Sequence, residues 1–211
     1  LDAAIKSEIF DRIIVSTDDT EIAEISIKYG AEVPFFRSKE TSDDYSTLGD
    51  VIHEALVKID LDEIKLPNNI FEIDIKKWLF KGLFLKEKDF RNNINKHDWS
   101  AYTDAYVYVH CSSDAIIPTW AYMLISSQLE NFTELVIIGN EKKFFEKYFE
   151  DIINAIDYSV YEGKSVIIKG CSDKKIPISA YHILTTKLKP LAKSIMFGEA
   201  CSAVPVFKKT S

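Results

Sequence analysis

Three short clusters carry the residue types that could do chemistry. His110, Cys111, Ser113 and Asp114 form the first, Gly170, Cys171, Ser172 and Asp173 the second, and Gly198, Glu199, Cys201 and Ser202 the third. Each follows a run of apolar residues that reads as a strand. A thiol near a helix N-terminus has its thiolate favoured, so one chemistry open to these clusters is an activated nucleophile. Converging thiolates could instead bind a metal. The alternative is structural, with Asp114 and Asp173 capping loop and helix amides and the cysteines serving as small buried residues. No CxxC pair is present, and His110, alternating with Val109, could point to the opposite face of its strand.

The elements that must position these clusters are βα units. Strands are expected at Tyr106–His110, Leu135–Ile138, Val166–Lys169 and Ile195–Phe197. Helices are expected between them at Pro118–Leu129, Lys142–Ile156 and Ser179–Leu188, with an added edge strand at Val204–Lys208. Strands separated by helices of this length imply an α/β fold, a largely parallel sheet flanked by helices. In such a sheet the ligand crevice lies beyond the carboxyl ends of the strands, where all three clusters fall. Ile59–Ile64, Phe71–Ile75 and Trp78–Leu85 read as strands or short helices, and Asp89–Asp98 as helical. Trp78, Trp99, Trp120, Phe144, Phe145, Tyr148 and Phe149 are expected to pack a core rather than line a pocket.

An ungapped internal match at an offset of 59 runs through this region. Val107, Ser113, Asp114, Ile117, Pro118, Ala121, Tyr122, Leu129 and Gly139 recur as Val166, Ser172, Asp173, Ile176, Pro177, Ala180, Tyr181, Leu188 and Gly198. That is 9 identities in 33 positions, where unrelated segments of ordinary composition would share roughly two. The doubled unit is strand, Ser-Asp loop, proline in the first helical turn, helix, strand and glycine.

Residues 1–54 have a different grammar. A strand at Arg12–Thr17, N-cap candidates at Thr17–Thr20, a helix ended by Gly30 and a second strand at Ala31–Arg37 read as a partial nucleotide-type α/β fragment. A polar loop at Ser42–Thr47 and a helix start at Leu48–Leu56 follow. The chain begins on Leu1 within an amphipathic pattern, as though cut from something longer.

Composition sets the class. The chain has 211 residues, 46% hydrophobic and 28% charged, within the ordinary globular range. Asp and Glu outnumber Lys and Arg by 33 to 26, for a net charge of −7, which disfavours nucleic acid as a partner. Three cysteines suit a reducing compartment, so a cytoplasmic protein is expected. No apolar run reaches the roughly 18 residues of a membrane span, and no membrane partner is expected. A small molecule is the expected ligand, with a homo-oligomer as an assembly to test.

Two resemblances divide the chain near Glu54. Phe10-Asp11-Arg12-Ile13-Ile14-Val15-Ser16-Thr17-Asp18-Asp19, Tyr29-Gly30-Ala31-Glu32-Val33-Pro34-Phe35, Arg37-Ser38 and Ser42-Asp43-Asp44 resemble the nonulosonate cytidylyltransferases, and most closely the pseudaminic acid branch. The resemblance implies joining a sialic-type sugar to CMP from CTP, with Mg²⁺ and release of pyrophosphate. It carries Asp18, Asp19, Arg37, Asp43 and Asp44 as substrate-side residues. It reaches about a quarter of such an enzyme and omits the family's phosphate-cradling loop and later metal-binding aspartates, so this chain alone is expected to be inactive in that reaction.

From about Ala55 onward, Asp74-Ile75-Lys76-Lys77-Trp78, His97-Asp98-Trp99, Ile117-Pro118-Thr119-Trp120 and Ile168-Lys169-Gly170-Cys171 resemble a bacterial family known only as domain of unknown function 2480. The reading is a chimeric or truncated chain. Residues 1–54 are a cytidylyltransferase-like fragment and residues 55–211 an uncharacterised α/β domain. The alternative function is ligand binding, or thiol- or metal-dependent chemistry, at His110, Cys111, Asp114, Cys171, Asp173, Glu199 and Cys201.

Overall fold

The computed structural model describes residues 1–10, 13–33, 36–42, 56–170, 175–199 and 203–209. The described residues form a mixed α/β fold whose sheets are mostly parallel. They cluster into two compact units. The first holds Leu1–Glu63, Asp157–Ser172 and Leu184–Ser211, and the second Ile64–Ile156 and Asp173–Ile183.

The second unit is built on three parallel strands, β2 (Ile70–Asp74), β3 (Ala105–His110) and β4 (Thr133–Ile138), with β3 central. Ala105, Val107 and Val109 alternate inward on β3, so a period of two decides which face packs. Helix α4 (Thr119–Leu129) makes the crossover from β3 to β4 and buries Ala121, Ile125 and Leu129. Helix α5 (Glu141–Asn154) follows β4 and buries Phe144, Phe145, Phe149 and Ile153 at the expected helical spacing. Its cap is Asn140, whose side chain accepts from the Lys143 amide. Helix α3 (Glu87–Lys96) buries Phe90 and Ile94. Trp78–Leu85, expected as strand or helix, is instead a 3-10 turn at Ile75–Trp78 followed by a tight reversal in which Phe80 bridges Phe84.

The aromatic residues pack as expected. Trp78 contacts Phe90 and Trp99 edge-on or tilted at 5.9 and 6.1 Å, and Phe144 stacks on Tyr148 at 6.1 Å. His97 is enclosed by Trp78, Trp99 and Tyr102, with its Nε2 2.8 Å from the Tyr102 hydroxyl. Burial, and then the Lys77 charge, lower its pKa below 6.5, against a smaller opposing pull from Asp98. The unfolded chain therefore takes up a proton that the folded one refuses, and stability falls as pH drops below 6.5. Urea midpoints measured on either side of that pH should show the loss, and His97→Gln should flatten it. An unchanged slope in the variant would remove His97 as the cause.

The first unit contains a four-stranded sheet in the order β1 (Val57–Asp60), β5 (Ser165–Lys169), β6 (Ser194–Phe197) and β7 (Val204–Lys208). β1, β5 and β6 are parallel, and β7 runs antiparallel on the β6 edge. Val166, Ile167 and Ile168 are all buried, the mark of a strand covered on both faces. Nearer the N-terminus, Asp2–Lys6 forms a short helix, α1, and α2 spans Thr20–Lys28. α2 is flanked by parallel bridges from Ile14 to Glu32 and from Thr17 to Phe36, and Gly30 ends it at φ +87°. The expected helix start at Leu48–Leu56 lies almost wholly outside the described residues.

The sequence repeat is a repeat of structure. β3 and β5, α4 and α6 (Ile178–Leu188), and β4 and β6 correspond at the same offset of 59. The correspondence extends upstream of the residues that revealed it. Asp98 accepts from the Ser100 amide and hydroxyl at 3.1 and 2.6 Å, and Asp157 from the Ser159 amide and hydroxyl at 3.0 and 2.7 Å. Each sheet also pairs its doubled strand with an earlier one. Ile59 and Asp60 lie opposite Ile168 and Lys169, and Ile73 and Asp74 opposite Val109 and His110. Proline departs slightly from expectation, since Pro118 is the N-cap of α4 rather than a residue of its first turn.

Candidate functional site

The carboxyl ends of β2 and β3 meet through one side chain. Asp74, the last residue of β2, receives the Ser112 hydroxyl at 2.6 Å, the Ser112 amide at 3.0 Å and the Lys76 amide at 3.0 Å. Burial pushes its carboxyl up, but the Ser112 hydroxyl, the two amides and the His110 charge more than offset this and hold it below its usual value. The loop after β3 is thereby tied to the end of β2. His110, opposite Asp74 in the ladder, turns its Nε2 to the Glu72 carboxylate. Cys111 is a half-buried free thiol with its Sγ 3.2 Å from the Ser113 hydroxyl. Burial and then Cys111 raise the pKa of Tyr122, on α4, above its usual 10.0.

At the end of β4, Gly139 adopts φ +151°, and a Cβ there would come within 2.5 Å of Lys143 Cδ. The Lys143 side chain can turn aside, so it is the positive φ that favours glycine here. These groups lie at the carboxyl ends of β2, β3 and β4.

The other expected site residues are placed as follows. Asp114 is exposed and does not cap α4, whose N-cap is Pro118. Glu199, in the first unit, is held by Lys169 at 2.6 Å. Cys171, Asp173 and Cys201 lie outside the described residues, as do Asp43 and Asp44. Of the remaining motif residues, Asp18 is exposed, and Asp19 caps α2 by accepting from the Glu21 and Ile22 amides at 2.8 and 3.0 Å. Arg37 donates to the Ser16 carbonyl at 2.8 Å and the Ser16 hydroxyl at 3.3 Å.

Among the described residues no three His, Cys, Asp or Glu side chains gather to hold a metal ion. No helix among the described residues is long and apolar enough to cross a membrane.

Sequence reasoning missed Asp74, Ser112 and Glu72 as site residues. A signal for the first existed, because Ile59-Asp60-Leu61 and Ile73-Asp74-Ile75 repeat the pattern of an aspartate between large aliphatic residues. Their spacing of 14 differs from the main repeat, so an ungapped comparison passes over it.

Comparison with known proteins finds two families along the chain. The model of the family described as "Protein of unknown function (DUF2480)" matches residues 47–209. The chain belongs to this DUF2480 family. A second model, described as "Cytidylyltransferase", matches residues 1–65 and overlaps the first over residues 47–65. The pseudaminic acid cytidylyltransferase of Campylobacter jejuni is 45% identical over 56 residues, 26% of this chain and 24% of that protein. The post-translational flagellin modification protein B of Campylobacter coli is 40% identical over 52 residues, 25% of this chain and 22% of its own. The CMP-N,N'-diacetyllegionaminic acid synthase of Legionella pneumophila is 29% identical over 167 residues, 77% of this chain and 67% of that enzyme. The chain thus spans about a quarter of the Campylobacter relatives. No solved structure matches.

Proposed function

We propose that the chain joins a truncated cytidylyltransferase-like fragment, residues 1–54, to an α/β domain, residues 55–211, that binds a small polar molecule at the strand ends around Asp74, His110 and Cys111. The observation that supports this reading is the tie between β2 and the loop after β3, which gathers Asp74, Ser112, His110, Glu72 and Cys111 at the carboxyl ends of two parallel strands. In the fragment, Asp19 accepts from the amides of α2, Arg37 donates to Ser16 and Asp18 is exposed. A nucleotide or nucleotide sugar is the ligand class supported by the names of the relatives.

Purified chain mixed with CTP, Mg²⁺ and a pseudaminic- or legionaminic-type sugar is expected to release no pyrophosphate above buffer. Release would overturn the reading of the fragment. Amide exchange in the presence of CTP or a CMP-sugar should slow at residues 105–114 and leave residues 13–33 unchanged. The reverse pattern would return the nucleotide site to the fragment.

The second reading, thiol-dependent chemistry, rests on the free, half-buried Cys111 beside Ser113. It requires Cys111→Ser to abolish whatever binding the exchange experiment finds, and equal binding in the variant would leave the thiol a packing role.

A further inference from the structure

The reversal after β2 is a basic island in an acidic chain. Residues 74–91 hold five lysines and one arginine against three carboxylates, a net charge of +3 where the chain as a whole carries −7. Large apolar side chains stand open at the same place. Phe80, Leu83 and Phe84 are 42, 55 and 65% exposed, while Trp78 and Leu79 before them and Phe90 after them are buried in the core. We propose that this reversal docks the second unit onto an anionic lipid bilayer, with Phe80, Leu83 and Phe84 entering the headgroup region and the surrounding lysines meeting the lipid phosphates and carboxylates.

The local structure suits that contact. Lys81 and Gly82, at φ +52° and +70°, turn the chain between Phe80 and Leu83. The backbone of the turn is already paired. The Leu83 amide donates to the Phe80 carbonyl at 3.1 Å, and the Phe80 and Phe84 amides donate to each other's carbonyls at 2.7 and 3.2 Å. Lipid offers such groups no partners, so a segment that enters it must pair them internally.

Lysine stems wrap the same turn. Lys86 Nζ lies 3.3 Å and Lys81 Nζ 5.6 Å from the centre of the Phe80 ring, and a Cβ at Gly82 would lie 3.7 Å from Lys76 Cε. Apolar stems laid along an apolar surface, with the ammonium groups kept in water, are the arrangement long cationic side chains adopt at a membrane boundary. Glu87, the one carboxylate between Lys76 and Lys88, is paired with Arg91 at 2.9 Å.

Charge complementarity selects the occupant. An anionic leaflet attracts each lysine held near its surface, and only a local basic patch lets a chain of net charge −7 approach one. A protein partner of standard size needs about 800 Å² of fitted surface on each side, whereas three part-exposed side chains at one turn offer a small wedge. A fluid bilayer accepts a wedge without matching its shape. Contact of this kind needs no spanning helix, so the expectation of no membrane partner, drawn from span length, does not bear on it.

Co-sedimentation of the full chain with vesicles tests this. Binding is expected to phosphatidylcholine vesicles that contain phosphatidylserine, and little to phosphatidylcholine alone. It should fall as salt rises from about 0.1 to 1 M, which shortens the screening length from about 10 to 3 Å. Lys76→Glu with Lys81→Glu, and separately Leu83→Ser with Phe84→Ser, should each weaken binding by at least about tenfold. All four positions are exposed, and circular dichroism establishes that each variant is folded. If either double variant unfolds, Phe84→Trp decides the matter. Its emission should move to the blue on adding anionic vesicles and be quenched by brominated acyl chains, and an unchanged spectrum would overturn the proposal. Displacement by soluble glycerophosphoserine would overturn it in favour of a headgroup site without a bilayer. No sedimentation with anionic vesicles at millimolar lipid would overturn it and leave the reversal to an acidic protein. Binding that survives both double variants would overturn it by placing the contact elsewhere.

Discussion

Phe90→Ala is expected to cost the second unit about 3–5 kcal/mol, the range for removing a large aromatic side chain from a core. Phe90 has no solvent exposure, and its ring meets Trp78 at 5.9 Å and Trp120 at 5.8 Å, both edge-on. Its loss would leave a cavity between two indoles whose own positions depend on it. Domains of ordinary size are stable by about 5–15 kcal/mol, so the variant would lie close to unfolding. The neighbouring indoles make intrinsic fluorescence a direct readout of urea unfolding at this place. Phe90→Leu keeps most of the volume and should lose under half as much. A loss below about 1 kcal/mol in the alanine variant would mean that α3 contributes little to the core.

The parts of this fold that were legible in the sequence are those with local grammar. β3, β5, α4 and α6 repeat the same strand-loop-proline-helix pattern, so their boundaries come within a residue or two of expectation. Trp78–Leu85 misled because its apolar density imitates a strand, while Lys81 and Gly82 at positive φ impose a reversal that only packing selects. The site was legible in place but not in content. Strand ends after β3 and β5 follow from topology alone, and His110 and Cys111 do line such an end. Asp74 was hidden because its partner, Ser112, is 38 residues away in the chain, and no periodicity links residues that meet only through sheet order. Asp114 misled for the opposite reason, since its closeness to Pro118 in sequence suggested a cap that Pro118 itself occupies.

Asp74→Ala is the sharper test of the site. Its carboxylate serves three donors, the Ser112 hydroxyl and the amides of Ser112 and Lys76. Hydrogen bonds to a charged acceptor are worth about 1.5–3 kcal/mol when shielded, but these three are exposed, and water can replace the lost acceptor. A loss of about 1 kcal/mol is therefore expected, together with faster amide exchange at Ser112, since among the described residues Asp74 is the side chain of β2 that bonds to the loop after β3.

The pH dependence has a definite sign. The folded carboxyl titrates below the 3.8 of the unfolded chain, so the stabilisation is complete above 3.8 and fades as pH falls toward and through the folded value. The alanine variant should lose the Asp74 share of the acid limb, to which Asp60, Asp98 and Asp157 also contribute, while keeping the separate fall that begins near 6.5 at His97. Asp74→Asn keeps one acceptor oxygen without the charge, and should recover part of the stability without restoring the acid limb. A loss below about 0.3 kcal/mol in the alanine variant, with Ser112 exchange unchanged, would mean that the tie to Ser112 adds nothing and that the loop beside His110 and Cys111 is held by the strands alone.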